Sequence, residues 1–520
     1  MQALKGPLTE LAEFEEINKN RMEHPGMLCI SGCVNSQKTH MMYALSDGIA
    51  YKVIVCSGES KARQVYEEYR MLDVDTYLYP AKDLLFYQAD IRSKELVKAR
   101  MEVLAALIEK KAAVVVTSID AFMDCLLSRE VIRERVISIG AEDTVDLEKL
   151  LQKLVWVGYE REAEISGPGQ FAVRGGILDV YPLTEELPIR IELWGDEVDS
   201  IRTFDVDTQR SIENLSEVLI YPASEFPLEE DERVSFLQYF DPKDTLLYLD
   251  EPVRILEKGE GVEKEFLEAG KRRVEVGYEV SNEEMKLYGV SEVVKEMNRY
   301  CSVGFFTLPM KAKGFEVRGS YDLQTKSVNP YNRSFELLTQ DLKRLKRNGY
   351  RVVLLSGSRT RARRLAEDLR DYDLSSYYSE DMEREVQPGE IMTAYGHITE
   401  GYEYPLLKFT VIAESDIFGN VKKKKKRKIY EGRKIQSFSE LKPGDYVVHE
   451  NHGLGIYQGI EKIEVDRVAK DYMKIAYDKG GNLYIPATQL DLIQKYASAD
   501  AKKPKLNRLG SCLLYTSPSP

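Results

Sequence analysis

Cysteine, histidine and long apolar runs are scarce in this chain, and each scarcity closes off a class of protein. Six cysteines in 520 residues, none in Cys-x-x-Cys spacing, exclude a disulfide scaffold. Five histidines leave little for a metal; His449 and His452 lie close together, but no third ligand stands in register, so turn and hydrogen-bond roles are expected for them and no metal site. No stretch approaches the roughly 18–20 uninterrupted apolar residues that span a bilayer. The opening MQALKGPLTELAEFEE is acidic and polar, unlike a signal peptide. A cytoplasmic protein with reduced thiols and no membrane partner is expected. No repeat of 20–50 residues is visible.

What is present fits an ordinary globular chain. Apolar residues make up 43% and charged residues 31%, enough to build several cores. Lys+Arg 73 against Asp+Glu 86 gives a net charge of −13. That balance argues against a chain coated with nucleic acid, while leaving room for local basic patches. At roughly 100–200 residues per domain, several domains are expected.

The pattern along the chain divides it. Residues 1–131 alternate strand and helix: MLCIS, YKVIVC and AAVVVT read as buried parallel strands, and Glu95–Ile108 as an amphipathic helix. Residues 132–211 turn to antiparallel strands, with Gly-Pro-Gly at 167–169 and Gly-Gly at 175–176. Residues 212–328 return to mixed α/β, and 329–419 form another α/β unit of unassigned role. Seven consecutive cations, KKKKKRK at 422–428, mark 420–434 as an extended basic linker, with contact to DNA phosphate as the alternative. Residues 435–500 hold short β runs, read as a barrel of about five strands closed by a helix at Gln489–Tyr496. In the tail, 501–520, the last ten residues fit nothing before them and are set aside as a translated scar.

Three local patterns carry chemistry. Gly32-Cys-Val-Asn-Ser-Gln37-Lys38-Thr39 follows a strand and precedes a helix, where a phosphate-binding loop belongs. Gln37 replaces the second glycine of that loop, putting a side chain where backbone must approach phosphate. The later strand Val114–Ser118 ends without a carboxylate for Mg²⁺. The expectation is a relic loop, with a working nucleotide site as the alternative. In Pro188-Ile-Arg-Ile-Glu-Leu-Trp194, Ile189, Ile191 and Leu193 share one parity, and Arg190, Glu192 and Trp194 the other. An outward Trp beside an Arg has the composition of an interface hot spot. It is equally compatible with Trp194 packed under a loop and Arg190 paired with Glu192. In YQGIEKIEVD (457–466) the alternation breaks between Ile460 and Ile463, predicting a bulge or an edge. That strand is either an ordinary barrel strand or one that pairs with a partner's sheet.

Taken together, four stretches resemble the bacterial transcription-repair coupling factors. They are FAVRGGILDVYP (171–182), RIELWGDEVDSIR (190–202), FDVDTQR (204–210) and GDYVVHENHG (444–453), the last continuing to NLYIP (482–486). The resemblance runs from near residue 1 to about Leu509 and covers the N-terminal half of that family. It implies a multidomain α/β and β fold: a UvrB-like α/β domain with an inserted β-rich domain, a second α/β domain, then a small Tudor- or CarD-like β-barrel.

The function it implies is recruitment of excision repair to RNA polymerase stalled at DNA lesions. By motif match, Arg174, Arg190 and Trp194 would bind UvrA; relatives often carry Phe at the position of Trp194. The strand holding Gly459, Ile460, Lys462, Ile463 and Val465 would pair with the RNA polymerase β subunit. The resemblance also implies that the loop of Gly32, Gln37, Lys38 and Thr39 is degenerate. No cofactor and no intact active site are expected in these residues. ATP, Mg²⁺ and double-stranded DNA belong to a translocase motor placed beyond them. The rival readings are an excinuclease-type helicase, which needs an intact loop and a Tyr-rich hairpin that Leu78–Ile91 does not supply, and a CarD-like regulator, which leaves over 400 preceding residues unexplained.

Overall fold

A computed structural model of the protein describes residues 1–81, 94–111, 113–224, 233–275, 287–419, 432–434, 441–449, 453–465, 468–477, 482–486 and 493–496. The first α/β unit runs β1 (Gly26–Ser31), α1 (Asn35–Ala44), β2 (Tyr51–Cys56), α2 (Glu59–Tyr69), β3 (Thr76–Tyr79), α3 (Lys94–Ile108) and β4 (Ala113–Ser118). The chain then enters the β-rich insert: β5 (Ile137–Gly140), α4 (Leu147–Trp156), β6 (Glu160–Arg161), β7 (Gln170–Arg174), β8 (Ile177–Tyr181), β9 (Ile189–Trp194), β10 (Glu197–Phe204), β11 (Ser211–Leu215) and β12 (Glu217–Ile220). It returns through β13 (Thr245–Asp250), α5 (Pro252–Glu275), β14 (Cys301–Phe305) and β15 (Val317–Asp322).

These returning strands complete a seven-stranded sheet in the order β15–β1–β14–β13–β2–β4–β3. Every pairing in it is parallel. Covered on both faces, its central strands are largely apolar; in β13 all six residues are buried.

In the insert, β11–β10–β9–β8–β7–β6 form one sheet, and β5 pairs with β12 in a second. β11 and β12 carry the insert beyond residue 211. The core side of β9 is the one its alternation predicts: Ile189 and Ile191 are buried with Leu178, Val198 and Ile201, and Leu193 packs at the margin.

The second α/β unit holds β16 (Lys326–Ser327), α6 (Phe335–Arg347), β17 (Arg351–Ser356), α7 (Arg359–Arg370), β18 (Ser376–Tyr378), β19 (Ile391–Tyr395), β20 (Tyr402–Tyr404), β21 (Phe409–Ala413) and α8 (Glu414–Phe418). The sheet order is β16–β20–β21–β17–β19–β18. Helix α6 forms because Leu338, Leu342 and Leu345 make one buried stripe. The Ser334 hydroxyl caps the Leu337 N–H, and Gly349 turns the chain out at φ +73°.

The two units share a strand–turn–helix piece. β2 and α2 correspond to β17 and α7, with Ala62, Val65 and Tyr69 buried like Ala362, Leu365 and Leu369. Val55 pairs with Leu249 and Leu355 with Ala413, so Asp250 and Glu414 each come next in register. One apolar cluster, from Ile17, Leu28 and Met41 to Val353, Tyr402 and Phe409, makes the two units a single packed body.

The last unit holds β22 (Gly432–Lys434), β23 (Tyr446–His449), β24 (Gly453–Val465), β25 (Val468–Ala476), β26 (Asn482–Pro486) and β27 (Ile493–Tyr496) in the order β22–β27–β23–β24–β25–β26. The described pairings form a six-stranded sheet and do not join β22 to β26. Two expectations are corrected. Ile493–Tyr496 is a strand, because β23 and β22 offer it pairing partners on both sides and Ile493 is buried in the core. Residues 432–434, read as the end of the linker, pair with that strand. The cation run 422–428, Gln489–Leu492, residues 82–91 of the Leu78–Ile91 stretch and the tail 501–520 lie outside the described residues.

Candidate functional site

The phosphate-type loop sits between β1 and α1, at the carboxyl end of the first sheet. The side chains that would engage a nucleotide there, Lys38 and Thr39, have internal partners. Gly32 keeps the left-handed backbone, φ +75°, but the place a Cβ would take is filled by the Leu323 carbonyl. The Thr325 hydroxyl donates to the Gly32 carbonyl at 2.6 Å. Lys38 Nζ donates to Asp250 Oδ1 at 3.0 Å and Glu251 Oε1 at 2.6 Å. Burial alone would lower the Lys38 pKa; the two carboxylates reverse that and hold it above its ordinary value. The Ser36 and Thr39 hydroxyls donate to the two oxygens of Glu68, at 2.9 and 3.1 Å.

The second α/β unit closes the loop. The Thr399 N–H donates to Glu68 at 2.9 Å, and the Glu400 N–H to the Ser36 hydroxyl at 3.2 Å. Gln37 is fully buried and donates to the Tyr404 hydroxyl at 2.8 Å. His40 Nε2 lies 3.0 Å from the Leu4 carbonyl, so that nitrogen donates and Nδ1 accepts from the Tyr404 hydroxyl at 3.0 Å. The structure corrects the expectation that no acidic strand accompanies this loop. Asp250 and Glu251 stand at the end of β13, far along the chain because the insert intervenes.

On the insert, Arg174 and Arg190 share one carboxylate. Arg190 Nε and Nη2 donate to Asp179 Oδ1 and Oδ2 at 2.6 and 2.9 Å, a bidentate pair, and Nη2 reaches Gln209 Oε1 at 2.7 Å. Its guanidinium lies 4.3 Å from the centre of the Phe204 ring. Arg174 Nη2 meets Asp179 Oδ2 at 3.0 Å while half its side chain stays in water. The hydrogen bonds to Asp179 raise the Arg190 pKa above its ordinary value. Trp194 is 83% exposed, at the end of the strand that holds Arg190. The Leu193 N–H donates to the Gly176 carbonyl at 2.8 Å, which sets that strand end beside the turn after Arg174. Gly175 supplies that turn with φ +63°. The alternative arrangement is thereby overturned: Glu192 pairs with Arg202, and among the described residues no loop covers Trp194. Asp179 escaped the sequence reading; its signal is a carboxylate at the outward parity of an otherwise apolar strand, GILDVY.

On the last unit, β24 is longer than its neighbour. Residues 453–456 pair with β23, whereas pairing with β25 continues to Val465. Along 459–465, no described strand lies on the β23 side. The bulge falls at Gln458, between Tyr457 and Gly459, earlier than the break between Ile460 and Ile463 suggests. Gly459 takes φ +116°, open only to glycine at ordinary cost, and from Ile460 onward the pairing is regular. Tyr457 anchors the near end, its N–H and carbonyl bonded to Asp445 and Gly444 at 2.9 and 2.8 Å. Ile460 packs against the unit's core. The side chains of Lys462, Ile463 and Val465 lie outside the described residues; their backbones pair with Asp471, Lys470 and Val468.

Comparison with known proteins gives these two surfaces a context. The UvrB interaction domain family matches residues 137–226, and the CarD-like/TRCF RID domain family matches residues 441–497. The chain therefore joins a UvrB-type interaction domain to a CarD-type domain. The transcription-repair-coupling factor of Bacillus subtilis (strain 168) is 32% identical over 498 residues, covering 84% of this chain and 42% of that protein. Those of Staphylococcus haemolyticus and Staphylococcus aureus (strain MRSA252) are 28% and 29% identical, covering 84% and 85% of this chain and 42% of each relative. The chain matches the transcription-repair-coupling factors over most of its own length and spans about two-fifths of the length of the curated relatives it matches.

Proposed function

We propose that this chain is a recruitment platform in transcription-coupled DNA repair, holding stalled RNA polymerase at one end and presenting UvrA with a surface at the other. The observation that carries the reading is the presence of both interaction domains, in this order, on one chain. The UvrA surface is Arg174, Arg190 and Trp194. Asp179 holds both guanidiniums against the sheet, and Trp194 offers a large apolar side chain already in water. The polymerase surface is the β23-side edge of Gly459–Val465, within a Tudor-like unit. Strand addition there would satisfy backbone groups that meet no described strand.

Residues 1–419 need no nucleotide in this reading. The loop's phosphate-binding groups are neutralised from within, so no cofactor is assigned to this chain. ATP turnover, double-stranded-DNA translocation and release of polymerase are proposed for the whole protein, outside these residues.

The test is a pair of pull-downs with the full chain. The Arg190→Ala, Trp194→Ala double variant should lose UvrA and keep the polymerase β subunit; Ile463→Arg should do the reverse. Retention of both partners by both variants would overturn the assignment.

A further inference from the structure

Helix α7 breaks a rule that its neighbours obey. Helix α6 opens with Glu336 and closes with Arg344, Lys346 and Arg347, matching the helix dipole. Helix α7 begins Arg359-Thr-Arg361-Ala-Arg363-Arg364 and carries Glu367 and Asp368 toward its end, where Arg370 is the one cation of the last turn. Positive charge stands at the positive end of the dipole, and its acids lie at the negative end. Stability does not favour this order, and a chain of net charge −13 has no general excess of arginine to explain it. All four arginines are exposed.

Two of them lie over aromatic rings at the carboxyl edge of the second sheet. Arg359 is 5.4 Å from the ring centre of Tyr395, itself 43% exposed, and Arg363 is 5.1 Å from that of Tyr378. The rings end neighbouring parallel strands, and the pairing of Tyr378 with Thr393 puts Tyr395 on the same face, beneath α7. The head of the helix already holds an oxyanion. The Glu414 carboxylate accepts from the Ser356 hydroxyl at 2.9 Å, from the Gly357 N–H at 2.8 Å, and from Arg361. Among the described residues Arg359 has no acidic partner. The contacts of Arg363 to Glu380 and Arg364 to Asp368, 3.5 and 3.9 Å, are exposed and screened by solvent.

We infer that the N-terminal half of α7, with Tyr378 and Tyr395, is a ledge for single-stranded DNA: the arginines take phosphates, and the tyrosine faces take unpaired bases. A duplex would use the cations alone and leave the rings idle. The ledge's two acids, Glu414 and Glu380, are engaged by Arg361 and the Tyr378 hydroxyl, so neither is free to accept from a ribose 2′-hydroxyl. The inference rests on α7 and the two tyrosines beneath it and is independent of the UvrA and polymerase surfaces.

The test is fluorescence anisotropy of a labelled oligothymidylate with the full chain, between about 50 and 200 mM salt. Arg359→Ser with Arg363→Ser should weaken binding about tenfold or more and make the log–log salt slope shallower by about 1.4, the share of two phosphates on a single strand. Tyr395→Ala should weaken it about fivefold or more. The double variant's melting temperature should hold or rise, since cations leave the positive end of the helix. Four results would each overturn the inference. They are unchanged affinity in both variants, loss of binding together with a lower melting temperature, tighter binding of duplex or RNA than of single-stranded DNA, and binding that disappears only when Lys422–Lys428 is neutralised.

Discussion

Asp179 carries more of the insert's outward face than either arginine it holds. It is 2% exposed and accepts from two nitrogens of the Arg190 guanidinium and one of the Arg174 guanidinium. Replacing it with alanine leaves Arg190, which is 13% exposed, beside an apolar ring without a counter-ion. Breaking such a pair costs about 3–5 kcal/mol. We predict that Asp179→Ala lowers the midpoint of urea unfolding of the insert and weakens UvrA binding, whereas Trp194→Ala weakens binding and leaves the midpoint unchanged. Equal midpoints for the two variants would contradict this.

A second residue-scale prediction concerns pH. Burial lowers the His40 pKa from 6.5 to about 4. The unfolded chain therefore takes up this proton at a higher pH than the folded one, and its contribution to stability is lost as pH falls from about 6.5 to about 4. Asp416 acts in the opposite direction. Burial raises it from 3.8 to about 6, against the pull of the Ala413 and Gly401 N–H groups. Its folded form holds the proton longer, so its contribution falls as pH rises from about 4 to about 6. The two offset each other in the wild type. His40→Gln removes one of them, so its stability relative to wild type should improve by about 3 kcal/mol between pH 7 and pH 4. A pH-independent difference in urea unfolding would rule this out.

At the scale of elements, strands were far more legible than what they touch. MLCIS, YKVIVC and AAVVVT are short, largely apolar runs bounded by turns, and each holds a strand. The reading failed where a partner distant in sequence decides the outcome. Ile493–Tyr496 has a helix-compatible composition, yet two open strand edges capture it. The acids facing Lys38 lie beyond an entire inserted domain, so no local window contains them. Gln37 was visible as a departure from a phosphate loop, but its contact with Tyr404 belongs to the second unit and leaves no mark nearby.

That contact makes Gln37 a structural residue. Gln37→Gly would restore the loop's spelling while removing the amide that donates to the Tyr404 hydroxyl, which keeps its bond to His40 Nδ1, at a cost of about 0.5–1.5 kcal/mol. We predict a lower melting temperature and no gain from Mg-ATP. A ligand at about 100-fold its Kd would add roughly 2.7 kcal/mol, easily seen as a shift. A shift with Mg-ATP that Lys38→Ala removes would show that the loop still binds nucleotide.

At the scale of the whole molecule, the chain combines one packed α/β body with two units that have cores of their own. The two α/β units share one apolar cluster and cross-bonds at Glu68, Ser36 and Tyr404. The insert and the final sheet have cores of their own. Such a layout suits a scaffold that sets two partners apart, and it motivates treating the two surfaces as one device. The most direct measurement is a bridging assay: RNA polymerase β subunit fixed on beads, UvrA in solution, and the chain added between them. The account predicts that UvrA stays on the beads only when the chain is present, and is lost with either Arg190→Ala, Trp194→Ala or Ile463→Arg. Free passage of UvrA while the wild-type chain remains on the beads would contradict it.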